Sequence, residues 1–136
     1  MPSPLDGCWA KIERANDNIG NLDNEIAAFV HPENYIIVRH VDHKAQECTF
    51  TARGQTIPLR FSVLIGEIIH HLRSSLDHLI WQLVLKRHPS PNFKVQFPIC
   101  ITEKEFKRAI KGGIITGVGK SAQKLIEHVQ PYHYSS

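Results

Sequence analysis

The stretch that decides the fold is Gly66-Glu67-Ile68-Ile69-His70-His71-Leu72-Arg73-Ser74-Ser75-Leu76-Asp77-His78-Leu79-Ile80-Trp81-Gln82-Leu83-Val84. At ~100° of turn per residue, Ile65, Ile69, Leu72, Leu76, Leu79, Ile80 and Leu83 gather on one broad stripe. Glu67, His70, His71, Arg73, Ser74, Asp77 and His78 spread over the opposite arc. This predicts one amphipathic helix whose stripe enters a core. The polar arc is unusual in its chemistry. Imidazole, guanidinium, carboxylate and hydroxyl groups together can hold anions and exchange protons near neutral pH. Trp81 falls inside that arc, either as a lid on the polar cluster or as a contact to a second subunit.

Working outward, the helix is predicted from about Arg60 to Lys86, stopped by His88-Pro89-Ser90-Pro91-Asn92. Upstream, Trp9, Ile12, Ile19, Leu22, Ile26 and Phe29 recur at helical spacing, predicting a first helix from Pro4 to Val30 with Asp6 as its cap. Asn16, Asn18, Gly20, Asn21 and Asn24 weaken its middle, so a kink or poor order is expected near Gly20. Tyr35–Val41 and Glu47–Ala52, around a polar turn at Asp42-His43-Lys44, read as an antiparallel hairpin. Two strands alone are marginal, so the hairpin is expected to lean on the helices or on a partner chain. Phe93 to Ile101 is extended and could hold one short strand. Thr102…Glu105 resembles a capping box opening a short helix that Gly112-Gly113 ends, and Ser121 to Val129 is a final helix cut by Pro131. The expected fold is mainly α: one domain over residues 1–136, a helical bundle with a β-hairpin inserted between the first and second long helices.

The composition agrees with a globular chain: 42% of its 136 residues are hydrophobic, and no apolar run approaches a membrane span. Neither a signal peptide nor a membrane segment is expected. Cys8, Cys48 and Cys100 are odd in number and lack metal-type spacing, which fits a reducing, cytoplasmic setting. A net charge of +3 without a dense basic block permits phosphate binding but does not announce it. Five of the nine histidines lie between His40 and His78, and that clustering bears more on function than net charge does.

Arg73 and His78 are separated by four residues. On one helix that is roughly 140° of arc and ~7.5 Å of rise, so a single helix closes no tight pocket around both. Two copies about a two-fold axis could bring four side chains onto one phosphate. The plainer reading is a surface arginine and a histidine at the edge of the core. The Arg-x4-His pattern on a long helix of a small bundle resembles the HEPN superfamily (higher eukaryotes and prokaryotes nucleotide-binding). Its active members are metal-independent RNases that dimerise to build a composite Arg/His site. The wider stretch from Leu59-Arg60-Phe61 to Leu83 also looks like an uncharacterised bacterial family with the pattern Gly-Asp-x-Leu-His-Asn-Leu-Arg-Ser-Ala-Leu-Asp-His-Leu. That likeness extends weakly to Ser3-Pro4-Leu5, Phe97-Pro98-Ile99, Ile126-Glu127 and Gln130-Pro131-Tyr132. Glu67 stands where that family has Asp, and His71 where it has Asn. Ser74 follows the arginine, where active HEPN proteins often have Asn, Asp or His. The bacterial family usually continues past Gln-Pro-Tyr, so the chain is expected to be shortened at its C-terminus.

The resemblance implies a homodimeric, metal-independent endoribonuclease, acting in defence or as a toxin and leaving 2′,3′-cyclic phosphate ends. His78 would take the ribose 2′-OH proton, and Arg73 would hold the scissile phosphate. Asp77 would orient a histidine or, equally, pair with Arg73 and silence it. Ser74, Glu67, His70 and His71 would play supporting parts. The alternatives are a non-catalytic HEPN-like module binding nucleotide, RNA or protein through the same face, and a protein whose polar arc is only a wet dimer interface. Three further motifs carry less. Glu67-x-x-His70 is half of a di-metal motif without its second half, so neither metal nor cofactor is expected. Gly117-Val118-Gly119-Lys120-Ser121 fails as a phosphate loop, because Ile114 stands where the first glycine belongs. Arg39, His40, His43, Lys44 and Arg53 on the hairpin form either a basic lip, with Arg39, Lys44 and Trp81 as RNA contacts, or a charged edge that deters aggregation.

Overall fold

Ser3 and Asp6 start the first helix by bonding each other's ends. The Leu5 N–H donates to Ser3 Oγ at 3.2 Å, and the Ser3 N–H donates to Asp6 Oδ2 at 2.7 Å. Ser3 is therefore the capping side chain and Asp6 the residue that reaches back, the reverse of the expected assignment. In the computed structural model, which describes residues 3–88 and 90–134, α1 spans Asp6–Phe29 and α2 spans Leu59–Leu85. α1 runs through the asparagine-rich stretch around Gly20 without interruption. A short 3-10 turn, Pro32–Asn34, follows it, and the Asn34 amide donates to the Ala28 carbonyl at 2.7 Å.

Between the two long helices stands the predicted hairpin, β1 (Tyr35–Asp42) against β2 (Glu47–Gly54), antiparallel with Tyr35 opposite Gly54 and Asp42 opposite Glu47. Asp42 Oδ1 accepts from the Lys44 and Ala45 N–H groups, and Gln46 takes a positive φ of 55° to enter β2. Every residue of both strands is exposed, including Ile36, Ile37 and Phe50. At the base of the hairpin, Tyr35, Ala52 and Gly54 share a hollow with Phe29 and Val30 at the end of α1. α3 (Glu103–Lys111) and α4 (Lys120–His128) complete a fold that is mainly helical with one inserted hairpin. Thr102 Oγ1 accepts from the Glu105 N–H as the capping box requires, but Glu105 reaches back to the Ile101 N–H rather than to Thr102.

Contacts divide the chain into two compact units. One takes in the described residues of Met1–Arg14 and His70–Ser136, the other Ala15–Ile69, so α1 and α2 each contribute to both. The first unit holds the larger core: Ile80, Val84, Val95, Phe97, Cys100, Phe106, Ile115, Val118 and Ile126 are buried together. In the second, Asn18 donates to Glu67 at 3.0 Å, Arg60 pairs with Glu25 at 2.7 Å and Phe29 meets Phe61 edge-on, which sets α1 and α2 antiparallel.

The single apolar stripe expected on α2 is corrected. Ile80 is fully buried and Leu76, Leu79 and Leu83 are half-buried, but Ile65, Ile69 and Leu72 are exposed. Phe61, Leu64, Ser75 and Val84 are buried in their place. At ~100° per residue, Phe61 and Leu64 lie on one edge of the stripe and Val84 on the other. The helix therefore buries two flanks and leaves the middle of the stripe outside near its N-terminal end.

No strand forms between Phe93 and Ile101. Side chains hold this segment instead. The Phe97 N–H donates to Asp77 Oδ1 at 2.8 Å, and Gln130, with no exposed surface, bonds the Cys100 N–H, the Pro98 carbonyl and the Ile126 carbonyl, each at 2.9 Å. Such pairing meets the demand of buried backbone groups that a ladder would otherwise satisfy.

Candidate functional site

Helical spacing sets Arg73 and Asp77 one turn apart, and the two close on each other. Arg73 Nη2 lies 3.1 Å from Asp77 Oδ1, and Nε donates to Asp77 Oδ2 at 3.2 Å. Two nitrogens on two oxygens is the forked geometry that makes arginine–carboxylate pairs strong. Asp77 is thus used twice, by Arg73 and by the Phe97 N–H, and it does not orient a histidine. Of the two roles expected for Asp77, the one found is the one that occupies the guanidinium. Arg73 also reaches Gln96 Oε1 at 3.5 Å and borders a hollow with Gln96, Phe97, Cys100 and Arg108.

His78 sits differently. Its Nε2 lies 3.1 Å from the Gln82 amide nitrogen one turn on. Its ring rests against α1 at Gly7, where an added Cβ would stand 2.5 Å from the imidazole Cε1. Glycine at position 7 therefore makes room for the ring. His78 lines a crevice of about 400 Å³ together with Lys11, Ser74, Asp77, Trp81, Gln82 and Val95. Lys11 Nζ reaches the Ser74 carbonyl at 3.5 Å, which brings its charge to the rim. Trp81 lines the crevice and is 38% exposed, enough for one indole face to meet a ligand. Cys8, one residue beyond Gly7, is buried. Burial pushes its thiol above the ordinary range, with Lys11 pulling weakly the other way.

Ser74, Asp77, His78 and Trp81 are therefore gathered at one crevice, while Arg73 points to the neighbouring hollow. His70 and His71 touch each other edge-on, with ring centroids 5.8 Å apart, and neither lines the crevice. Glu67 is engaged by Asn18 within the other unit. Arg39 and Lys44 also belong to that unit, on the exposed hairpin, where Arg39 Nε lies 3.3 Å from Cys48 Sγ. Among the described residues no group of three or more His, Cys, Asp or Glu side chains is placed to hold a metal. No helix among them is long and apolar enough to cross a membrane.

Lys11 and Gln82 are the site residues that sequence reading missed. Gln82 had a signal, being one turn from His78 on the same helix. Lys11 had none, because only packing brings α1 to this part of α2. Comparison with protein-family models, with curated proteins and with solved structures returns no match for the chain.

Proposed function

We propose that the chain is a HEPN-like module that binds single-stranded RNA or a nucleotide in the crevice between Lys11 and Trp81. One observation carries this reading: a cation, an imidazole, a serine and a half-exposed indole line the same crevice. Lysine is a point charge suited to a phosphate, and an indole face accepts any base by stacking. His78 and Gln82 supply donors and acceptors for a ribose or base edge. The forked pair of Arg73 with Asp77 favours binding over catalysis in a single chain, because the guanidinium is already neutralised.

A second reading, the metal-independent endoribonuclease, is favoured by the imidazole of His78 standing beside Lys11 in that crevice. In it the imidazole removes the 2′-OH proton and the 2′-oxygen attacks phosphorus. The 5′-oxygen leaves with a proton, giving a 2′,3′-cyclic phosphate and a 5′-hydroxyl. Arg73 could hold the phosphate only after leaving Asp77, in one chain or across a homodimer.

Fluorescence anisotropy with a labelled single-stranded RNA tests the first reading. Binding should fall at least several-fold in Lys11→Ala and Trp81→Ala while the fold persists, and unchanged binding in both would refute it. The same RNA incubated in EDTA tests the second. Cleavage by the wild-type chain that is lost in His78→Ala and Arg73→Ala would favour it over simple binding, and intact RNA would discard it.

A further inference from the structure

We infer that the hollow between α3 and α4 binds a small amphipathic carboxylate, an acyl chain with one anionic head. The chain lies on Phe106, Ile110 and Ile115, and the head sits between Lys120 and Lys124. At ~100° of turn per residue, Phe106, Lys107 and Ile110 share one face of α3, and Lys120, Gln123, Lys124 and Glu127 share one face of α4. These two faces, with Ile115 from the turn that joins the helices, line one hollow of about 410 Å³. That volume falls within the roughly 300–1,000 Å³ of small-molecule sites. Phe106 and Ile115 are buried and Ile110 is half-buried, so the floor is hydrocarbon. The methylene stems of the lysines extend it up the walls.

The charges around the rim are unevenly matched. Glu103 holds Lys107 in an ion pair one turn apart and pushes its ammonium above the ordinary range, with Glu127 adding a weaker pull. Both carboxylates therefore act on Lys107. Among the described residues, Lys120 and Lys124 have no ion-pair partner. They stand four residues apart on one helix face, a spacing at which like charges destabilise a helix. A carboxylate between them relieves that repulsion. The remaining polar group of the lining, the Gln123 amide nitrogen, already donates to the Val118 carbonyl at 2.8 Å. The hollow thus offers positive charge at its rim and hydrocarbon inside, with little to pair a base edge, a sugar or a peptide backbone. An apolar tail with a single negative head matches both halves, and a polar ligand matches only one.

The inference does not rest on the RNA reading, because this hollow shares no lining residue with the crevice between Lys11 and Trp81. Octanoate titrated into the whole chain, followed by isoleucine methyl NMR, tests it. The Ile110 and Ile115 resonances should shift saturably with a Kd of ~0.1–1 mM, as expected for a ligand of about ten heavy atoms. Hexanoate, two methylenes shorter, should bind roughly tenfold more weakly, since each buried methylene is worth up to about fourfold. Lys120→Gln and Lys124→Gln should each weaken octanoate about two- to fivefold. Both lysines are exposed, so the spectrum of the free variants should stay that of the wild type. Lys124→Glu should turn the preference toward octylamine. Absence of a saturable shift at Ile110 and Ile115 by ~10 mM would overturn the proposal. Octanol or octylamine binding the wild type as tightly as octanoate would overturn it too, leaving only a greasy surface. Inorganic phosphate producing the same shifts would do so as well, by showing a plain anion site. Wild-type octanoate affinity in both glutamine variants would refute the placement of the head.

Discussion

Replacing Gln130 with methionine isolates what the buried amide does. Gln130 has no exposed surface, and its three bonds, to the Cys100 N–H and to the Pro98 and Ile126 carbonyls, are each 2.9 Å long. Methionine has similar volume and shape, so packing is largely kept. One backbone donor and two acceptors lose this partner. A buried group left unpaired costs roughly 1–3 kcal/mol, with carbonyls at the lower end. The sum is about 3–5 kcal/mol, a large share of the ~5–15 kcal/mol by which domains are stable. Urea denaturation followed by far-UV circular dichroism should therefore show a markedly lower midpoint for Gln130→Met. Gln130→Ala should fall further, because it adds a cavity. A loss below about 1 kcal/mol for the methionine variant would refute the reasoning. It would mean that water or a small backbone shift replaces the bonds, and that the Phe93–Ile101 segment does not depend on this side chain.

Asp77→Asn keeps an oxygen for the Phe97 N–H but removes the charge facing Arg73. Stability should change by no more than about 1 kcal/mol, as for partly exposed pairs, while RNA affinity at low salt rises. Unchanged affinity by anisotropy would show that Asp77 does not restrain Arg73. Gly7→Ala would place a Cβ 2.5 Å from the His78 ring and must swing the imidazole aside. RNA affinity should then drop to that of His78→Ala, and wild-type affinity would deny His78 a part in binding. Cys48 is exposed, whereas burial pushes the thiols of Cys8 and Cys100 up, with Glu105 adding to the shift at Cys100. At mildly alkaline pH one thiol should react rapidly with a disulfide reagent. The other two should need denaturant, and three fast thiols would contradict this placement. Ile80→Ala should cost about 2–5 kcal/mol by cavity formation, against little for the exposed Leu125→Ala, as denaturation midpoints would show.

Hydrophobic spacing was enough to place both long helices to within a residue or two, because each carries a pattern that no strand could bury. β-branched runs around a polar turn likewise announced the hairpin, and Thr102 announced α3. What spacing could not convey was which edge of the α2 stripe meets a neighbour. Ile69 and Ile80 read alike in one dimension, yet one is exposed and the other buried. The segment from Phe93 to Ile101 read as extended, with room for one short strand, and its buried backbone does need partners. Those partners are Asp77 and Gln130, distant in sequence and invisible to any local pattern.

The same division runs through the site. The chemistry of the polar arc on α2 follows from residue identity and helical period alone, so His78, Ser74, Asp77 and Trp81 could be named from the order of residues. Their grouping was decided in three dimensions. Arg73 is bound by Asp77 because the turn of the helix puts the carboxylate within reach and the Phe97 N–H fixes it there. Lys11 joins His78 because Gly7 has no side chain and lets α1 lie against the ring. Local sequence sets periodicity and residue chemistry, whereas pairing across distant positions depends on how the elements pack.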